Sequence, residues 1–206
     1  MLKILGKASS INVRKVLWTC EEIGLPYQQL EYGSGTSNSL HTEDFLRLNP
    51  NAMVPVIEDD GQTLWESNSI CRYLANKHQR QDLLPIAAMP RAQIEKWMDW
   101  QATELNNSWR YAFMARVRLS AAHQDPVLLA QGEASWNQHM SLLDQQLQVT
   151  KAYVNGDTFS LADIVLGLSL NRWKKAPIQH APLEALDAYF ALLCRQPAFL
   201  KFSVVV

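Results

Sequence analysis

Three short segments near the N-terminus combine residue types that can bind an anion or an amino acid. The first contains Ser10 and Asn12 and lies where a predicted helix begins. A helix N-terminus presents unpaired N–H groups and a partial positive charge, which stabilise an anion such as a thiolate. A hydroxyl or amide donor at this place could bond the sulfur and lower its pKa. Taken alone, the segment is more typical of a helix whose cap is Asn12.

The second segment is Val54-Pro55, at the start of a predicted strand. Proline at this position lacks one donor of the strand ladder, so it suits an edge or a bulge. A cis bond before Pro55 would expose the main chain of Val54 to an incoming peptide. Because trans is the common form of an X–Pro bond, the residues alone favour trans.

The third segment is Glu66-Ser67, where a predicted strand meets a predicted helix. Ser67 and the helix N-terminus could hold a carboxylate, and Glu66 could accept a hydrogen bond from an ammonium group. Together they would bind the head group of an amino acid. A serine cap beside an exposed glutamate is the alternative and, by itself, the commoner arrangement.

The elements that must position these segments form a small mixed α/β domain. The predicted strands lie at 2–5, 27–32, 54–58 and 63–65. One helix is predicted up to Ile23, a short one follows Thr42, and a third begins at Ser67. The turn sequence Asp59-Asp60-Gly61 indicates a hairpin between the last two strands. A parallel crossover followed by a hairpin predicts a sandwich of the thioredoxin type.

The rest of the chain shows helical patterns, apart from a weak strand signal at the extreme C-terminus. One long helix is predicted over 91–119, and Asp125-Pro126 begins another that runs to about residue 150. Ser160 and Asp163 have the spacing of a capping box, and Pro182 and Pro197 each begin a shorter helix. The expected division is an α/β domain over 1–78, a linker over 79–90 and an all-helical domain over 91–206.

The composition excludes several classes of partner. Lys and Arg number 19 and Asp and Glu 20, a net charge of −1, so the chain has no broad basic surface for nucleic acid or anionic lipid. Its three cysteines have no metal-ligand spacing and indicate a reducing compartment. The N-terminal apolar stretch is too short for a signal peptide, and no apolar run could cross a membrane. We expect a soluble, cytoplasmic protein with no metal, membrane or nucleic-acid partner.

Taken together, the segments resemble the glutathione S-transferase family over essentially the whole chain. The resemblance rests on S-S-I-N-V-R-K-V at 9–16, N-P-N-A-M-V-P at 49–55, W-E-S-N-S-I at 65–70 and F-S-L-A-D-I at 159–164. It implies a thioredoxin-like N-terminal domain, an all-helical C-terminal domain and a homodimer. The box of Ser160 and Asp163 matches the family's folding signature, which implies a structural role.

The resemblance also implies how glutathione is held. It implies a cis bond before Pro55, with the main chain of Val54 binding the cysteinyl part. Glu66 and Ser67 would hold the γ-glutamyl end, and His41 lies in the loop where related proteins often contact the glycyl carboxylate. Ala52 stands where the family usually has glycine, which suggests a slightly altered turn and unchanged chemistry.

The pattern Ser10-x-Asn12 resembles bacterial members that direct a hydroxyl or an amide toward the sulfur. No tyrosine precedes Tyr27, so the tyrosine-activated classes are excluded, and Ile11 excludes the cysteine-type classes. The zeta-class isomerase motif is matched only in part. Whether Ser10 or Asn12 contacts the sulfur stays open at this stage.

In the family, the electrophile lies against the first long helix of the helical domain. Arg110, Tyr111 and Met114 are the candidate lining residues here, and an arginine would favour an anionic substrate. The expected activity is transfer of the glutathione thiolate to a small electrophile. The alternatives are a glutathione-dependent isomerase, a thiol-disulfide reductase, and a non-catalytic glutathione-binding or ligand-binding protein.

Overall fold

The computed structural model describes residues 1–203, which form two compact units. The first unit, Met1–Ile86, contains a four-stranded sheet and three helices. Its elements are β1 (Leu2–Leu5), α1 (Ile11–Ile23), β2 (Tyr27–Leu30), α2 (Glu43–Leu48), β3 (Val56–Asp59), β4 (Gln62–Trp65) and α3 (Ser67–Lys77). The strand order is β2-β1-β3-β4, in which β1 pairs parallel to β2 and β3 pairs antiparallel to both neighbours. This is the mixed sandwich that the sequence predicts.

Helix α1 packs by its apolar stripe and ends at a glycine. Val13, Val16 and Cys20 are fully buried. Gly24 adopts a φ of 75° and its N–H bonds the carbonyls of Cys20 and Glu21, which closes the helix in the way that favours glycine. The local pattern therefore predicts the end of this helix, but not the burial of its polar residues Arg14, Lys15 and Thr19.

Two strand boundaries differ from the prediction. β2 ends at Leu30, two residues early, and β3 begins at Val56. Val54 and Pro55 therefore precede the strand, and their main-chain groups lie outside the ladder.

The second unit, from Ala87 onward, is helical throughout its described residues. Its main helices are α4 (Ala88–Trp100), α5 (Asn106–Arg116), α6 (Pro126–Thr150), α7 (Leu161–Lys175), α8 (Glu184–Leu193) and α9 (Pro197–Ser203). The predicted weak strand signal falls on the last residues, of which 204–206 lie outside the described part. None of the helices in residues 1–203 is both long and apolar enough to cross a membrane.

The single helix predicted over 91–119 is wrong in its bounds. Helix α4 begins at Ala88, inside the segment predicted to be a linker, and tolerates Pro90 because the first turn of a helix needs no N–H bond there. A π-helical segment, Gln101–Leu105, separates α4 from α5. The side chain of Gln101 is buried and donates to Asn106 Oδ1 at 3.0 Å. A hydrogen bond between two side chains leaves the spacing of apolar residues unchanged, so the apolar pattern does not predict it.

Buried aspartates connect the helices of the second unit. Asp144 of α6 accepts a hydrogen bond from the N–H of Leu186 at 2.8 Å and so caps the first turn of α8. That helix begins at Glu184, two residues after the predicted start at Pro182. A cap supplied from 42 residues away leaves no local trace in the sequence.

Asp163 forms the predicted capping box and also binds two residues outside it. One carboxylate oxygen accepts from the N–H and the hydroxyl of Ser160, both at 2.9 Å. The other accepts from the N–H of Val154 and the hydroxyl of Tyr189, both at 2.9 Å. This single side chain therefore joins the start of α7 to the preceding loop and to α8.

The burial of Asp163 predicts a pH-dependent stability. Burial outweighs the four donors and raises the pKa of Asp163 from 3.8 to about 6. Between these two pKa values, the folded chain binds a proton at Asp163 that the unfolded chain does not. The free energy of unfolding therefore falls as pH rises. The size is about 3 kcal/mol between pH 4 and 7. Urea denaturation measures the effect in the wild type and in Asp163→Asn, whose side chain cannot titrate. The difference between their free energies of unfolding should shrink as pH rises.

Asp157→Asn, at an exposed carboxylate of the same loop, is the matched control and should leave the pH dependence of the wild type in place. A difference between wild type and Asp163→Asn that grows with pH would mean that the four donors outweigh burial.

Candidate functional site

A small pocket in the first unit brings together all three of the segments singled out from the sequence. Its volume is about 70 Å³. It is lined by Asn12, Asn49, Asn51, Met53, Val54, Pro55, Glu66 and Ser67. Five of the seven residues predicted to act on glutathione are in this set. Ser10 and His41 are not.

The start of α1 places Asn12 and Ser10 differently. Ser10 occupies the cap position with extended backbone, and Asn12 is the second residue of the helix. The simple interpretation of Asn12 as the helix cap is therefore wrong. Within residues 1–203, the Asn12 amide makes no hydrogen bond to protein, and it is half-buried against the pocket.

The Val54–Pro55 peptide bond is cis, as the family resemblance implies and contrary to the statistical preference for trans. The preceding turn is held by Asn49, which is 2% exposed. Its amide donates to the carbonyl of Met53 at 2.9 Å, and its oxygen accepts from the N–H and the side chain of Asn51 at 3.0 and 3.1 Å. These bonds present the main chain of Val54 at the pocket wall.

Ala52 lies in the same turn with a φ of 51°. This is the left-handed region that glycine adopts without steric cost and that other residues occupy at about 1–2 kcal/mol. Alanine adopts the left-handed conformation itself.

Glu66 and Ser67 form the opposite wall. Glu66 has a φ of 72° and a ψ of 108°, an uncommon conformation for a residue with a side chain. Ser67 is 6% exposed and begins α3, where the backbone N–H groups of the first turn point out of the helix. In the part of the chain that the structure describes, neither side chain is hydrogen-bonded to protein. A carboxylate and a helix N-terminus side by side suit an ammonium and a carboxylate of one amino-acid head group.

His41 lies in the loop before α2 and is exposed. Its backbone N–H donates to Ser39 Oγ at 3.1 Å, and its ring does not line the pocket. It remains a candidate only for the outer end of a ligand that extends beyond the pocket.

Arg110, Tyr111 and Met114 all lie on α5 in the second unit. Arg110 is exposed and Met114 is half-buried. The hydroxyl of Tyr111 accepts from the N–H of Asp125 at 3.1 Å, and its ring meets His123 edge-on at 5.1 Å. Tyr111 therefore already has a structural contact at the start of α6.

A larger groove, of about 500 Å³, lies between α4 and α6 in the second unit. Trp97, Trp100 and Leu142 form its mainly apolar wall. None of the residues that line it belongs to the three segments singled out from the sequence, so its greater size does not make it the catalytic centre.

The sequence analysis missed Asn49, Asn51 and Met53 as pocket residues. The sequence Asn-Pro-Asn at 49–51 is typical of a turn and could have indicated one here. That the turn forms part of the pocket wall depends on contacts between Asn49 and Met53, which the sequence does not show.

We predict that Asn49→Ala lowers the free energy of unfolding by about 1–3 kcal/mol, because the Met53 carbonyl and the Asn51 N–H both lose the buried Asn49 side chain as their partner. Urea denaturation measures the loss. Asn51→Ala is the matched control: it removes an exposed amide and keeps the Asn49–Met53 bond, so it should cost less than about 0.5 kcal/mol. Equal losses in the two variants would contradict the role given to Asn49.

Comparison with known proteins identifies the arrangement. The family model described as the glutathione S-transferase N-terminal domain matches residues 9–77. The chain is 33% identical over 207 residues to glutathione S-transferase GstB of Escherichia coli K12, covering all of this chain and 99% of that protein. It is 29% identical to elongation factor 1-gamma 3 of rice, over 92% of this chain but 45% of that protein.

Among solved structures, the theta class glutathione S-transferase of Xanthomonas axonopodis pv. citri with glutathione bound superposes with a TM-score of 0.90. Its identity is 33%, over all of this chain and 98% of that one. With a relative of matching length and a fold shared from end to end, the chain belongs to the glutathione S-transferase family.

Proposed function

We propose that the pocket between Asn12, Val54, Glu66 and Ser67 is the glutathione site of this chain. The chain is a glutathione transferase, and glutathione is its co-substrate. The observation that carries the site assignment is the convergence of three sequence segments on one pocket, with polar groups that lack protein partners among residues 1–203. We assign glutathione binding to residues 1–78 and binding of the electrophile to residues 91–206; helix α4 begins at Ala88, within the segment 79–90 that joins them.

The γ-glutamyl head group occupies the pocket in this proposal. A volume of about 70 Å³ suits a small polar group and not a whole tripeptide. The ammonium lies at Glu66, and the carboxylate accepts from Ser67 Oγ and from the N–H groups of the first turn of α3. The cysteinyl part pairs with the main chain of Val54, which lies outside the β3 ladder. The glycyl carboxylate extends toward His41.

Asn12 is the better placed of the two candidate sulfur ligands, because its amide lines the pocket and Ser10 Oγ does not. Its N–H donates to the sulfur, the thiol proton leaves to water, and the thiolate forms a C–S bond with the electrophilic carbon. In substitution the leaving group departs with its electron pair; in addition the electrons pass to the acceptor. A thiol pKa lowered by about two units is worth roughly 2.7 kcal/mol of thiolate stabilisation.

The electrophile is a small molecule held in the helical unit by Arg110, Tyr111 and Met114. Since the Tyr111 hydroxyl accepts from Asp125, it serves a substrate as a donor. The exposed Arg110 favours an anionic electrophile. We further propose a cytoplasmic homodimer that detoxifies such compounds.

Binding of reduced glutathione tests the site. At one hundred times Kd, the ligand should raise the free energy of unfolding by about 2.7 kcal/mol, seen as a thermal shift. Ser67→Ala and Glu66→Gln should weaken the shift, whereas Glu43→Gln, at an exposed carboxylate on α2, should preserve it. Absence of any shift at millimolar glutathione would overturn the assignment.

The sulfur ligand is tested separately, by the ultraviolet absorbance of the bound thiolate against pH. Asn12→Ala should raise the pKa of bound glutathione by about one unit, corresponding to the loss of one hydrogen bond to a charged group. Ser10→Ala should raise it less, and Ser9→Ala, at the exposed neighbour, should leave it unchanged. If Asn12→Ala has no effect, the amide is not the donor.

A further inference from the structure

A buried lysine joins the two helices that carry Asn12 and Ser67 of the proposed glutathione site. Lys15 of α1 is 1% exposed, and its Nζ donates to Asn68 Oδ1 at 3.2 Å. Asn68, the second residue of α3, is 7% exposed. Lysine is almost never buried to this degree unless paired, and burying its charge costs several kcal/mol. A packed apolar side chain would fill the same space at lower cost.

The position of this bond relates it to the site. Lys15 follows Asn12 by three residues, so both lie on one face of α1 about one turn apart. Asn68 follows Ser67 directly in the first turn of α3. The bond therefore joins α1 and α3 within one helical turn of Asn12 and next to Ser67.

Neighbouring groups indicate that the ammonium acts electrostatically on α3. Burial raises the pKa of Cys71 to about 11, and the charge of Lys15 opposes that rise. The carbonyl of Lys15 accepts from Thr19 Oγ1 at 2.9 Å, which fixes this turn of α1. The bond from Lys15 Nζ to Asn68 Oδ1 places the charge beside the first turn of α3.

We propose that Lys15, acting through Asn68, is a positioning residue for the carboxylate of the γ-glutamyl group. It holds the first turn of α3 against α1 and places a fixed positive charge behind the N–H groups that receive the carboxylate. It touches no substrate. The inference rests on the proposed glutathione site and adds a residue that does not line the pocket.

A purely structural role for Lys15 gives a different pattern of effects. Replacing a buried charge by an apolar residue of similar volume is often neutral or stabilising. Under our proposal, Lys15→Met therefore keeps or raises thermal stability while it weakens glutathione binding. A structural role would move stability and binding in the same direction and would not depend on the ligand's charge.

The experiment is calorimetric titration of the wild type and Lys15→Met with two ligands: reduced glutathione and its analogue with the γ-glutamyl α-carboxylate converted to a carboxamide. We expect Lys15→Met to weaken glutathione binding about tenfold, as expected for loss of one favourable charge interaction, and to bind the carboxamide about as well as the wild type does. In turnover, KM for glutathione should rise while kcat changes less than about twofold.

Two further variants complete the test. Asn68→Ala keeps the lysine and should also lose affinity for glutathione while binding the carboxamide as the wild type does. This variant tests the proposal if Lys15→Met fails to fold. Lys3→Met makes the same charge change at a surface ion pair with Glu58 and should leave both affinities unchanged.

Three outcomes overturn the proposal in distinguishable ways. Wild type that binds no glutathione refutes the proposed function and, with it, this inference. Wild type that binds normally, with Lys15→Met unchanged or equally weakened for both ligands, refutes the inference alone. Unchanged binding in Asn68→Ala refutes the path through Asn68.

Discussion

The proposed glutathione site depends on a close approach at Gly6, at the end of β1. A Cβ at this position would lie 2.5 Å from Val13 Cγ2 and 3.0 Å from Val54 Cβ, so no side chain can be accommodated there. The φ of Gly6, +145°, independently favours glycine. Because Gly6 has no side chain, the first turn of α1 and the cis turn at Val54 can both pack against the end of β1. Asn12 and Val54 share a pocket wall as a consequence of that contact.

In each of the two units, buried polar side chains hold segments without regular structure. The turn at 50–53 depends on Asn49, the start of α8 on Asp144, and the loop before α7 on Asp163. Each supplies bonds to backbone groups that would otherwise be buried without a partner. The apolar core sets the distances between the elements, and these few polar residues determine the paths of the loops. The site is made of such loops, so its geometry is sensitive to residues that touch no ligand.

The extent to which the structure follows from the sequence varies with the range of the interactions. The order of strands and helices, the hairpin at Asp60-Gly61 and the capping box at Ser160 arise from contacts within a few residues, and local patterns predict them. The start of α4 at Ala88 and the π segment do not follow from apolar periodicity, which registers neither a proline allowed in a first turn nor the side-chain bond from Gln101 to Asn106. The cis bond follows only from the family resemblance. The Lys15–Asn68 bond joins residues 53 positions apart, and nothing near Lys15 distinguishes it from an exposed lysine.

The near-neutral charge of the chain is consistent with the way this site would bind an anionic peptide. It would do so with main-chain groups, one helix end and a small number of side chains, in place of a basic surface. A fixed dipole or a buried charge loses little to solvent screening, whereas exposed lysines are screened within about 10 Å at ordinary salt. Since glutathione binding would place the sulfur beside the first turn of α1, the same arrangement that selects the peptide also positions the thiolate. In the proposed site, recognition of the γ-glutamyl end and activation of the sulfur would therefore both depend on the packing of α1 against α3.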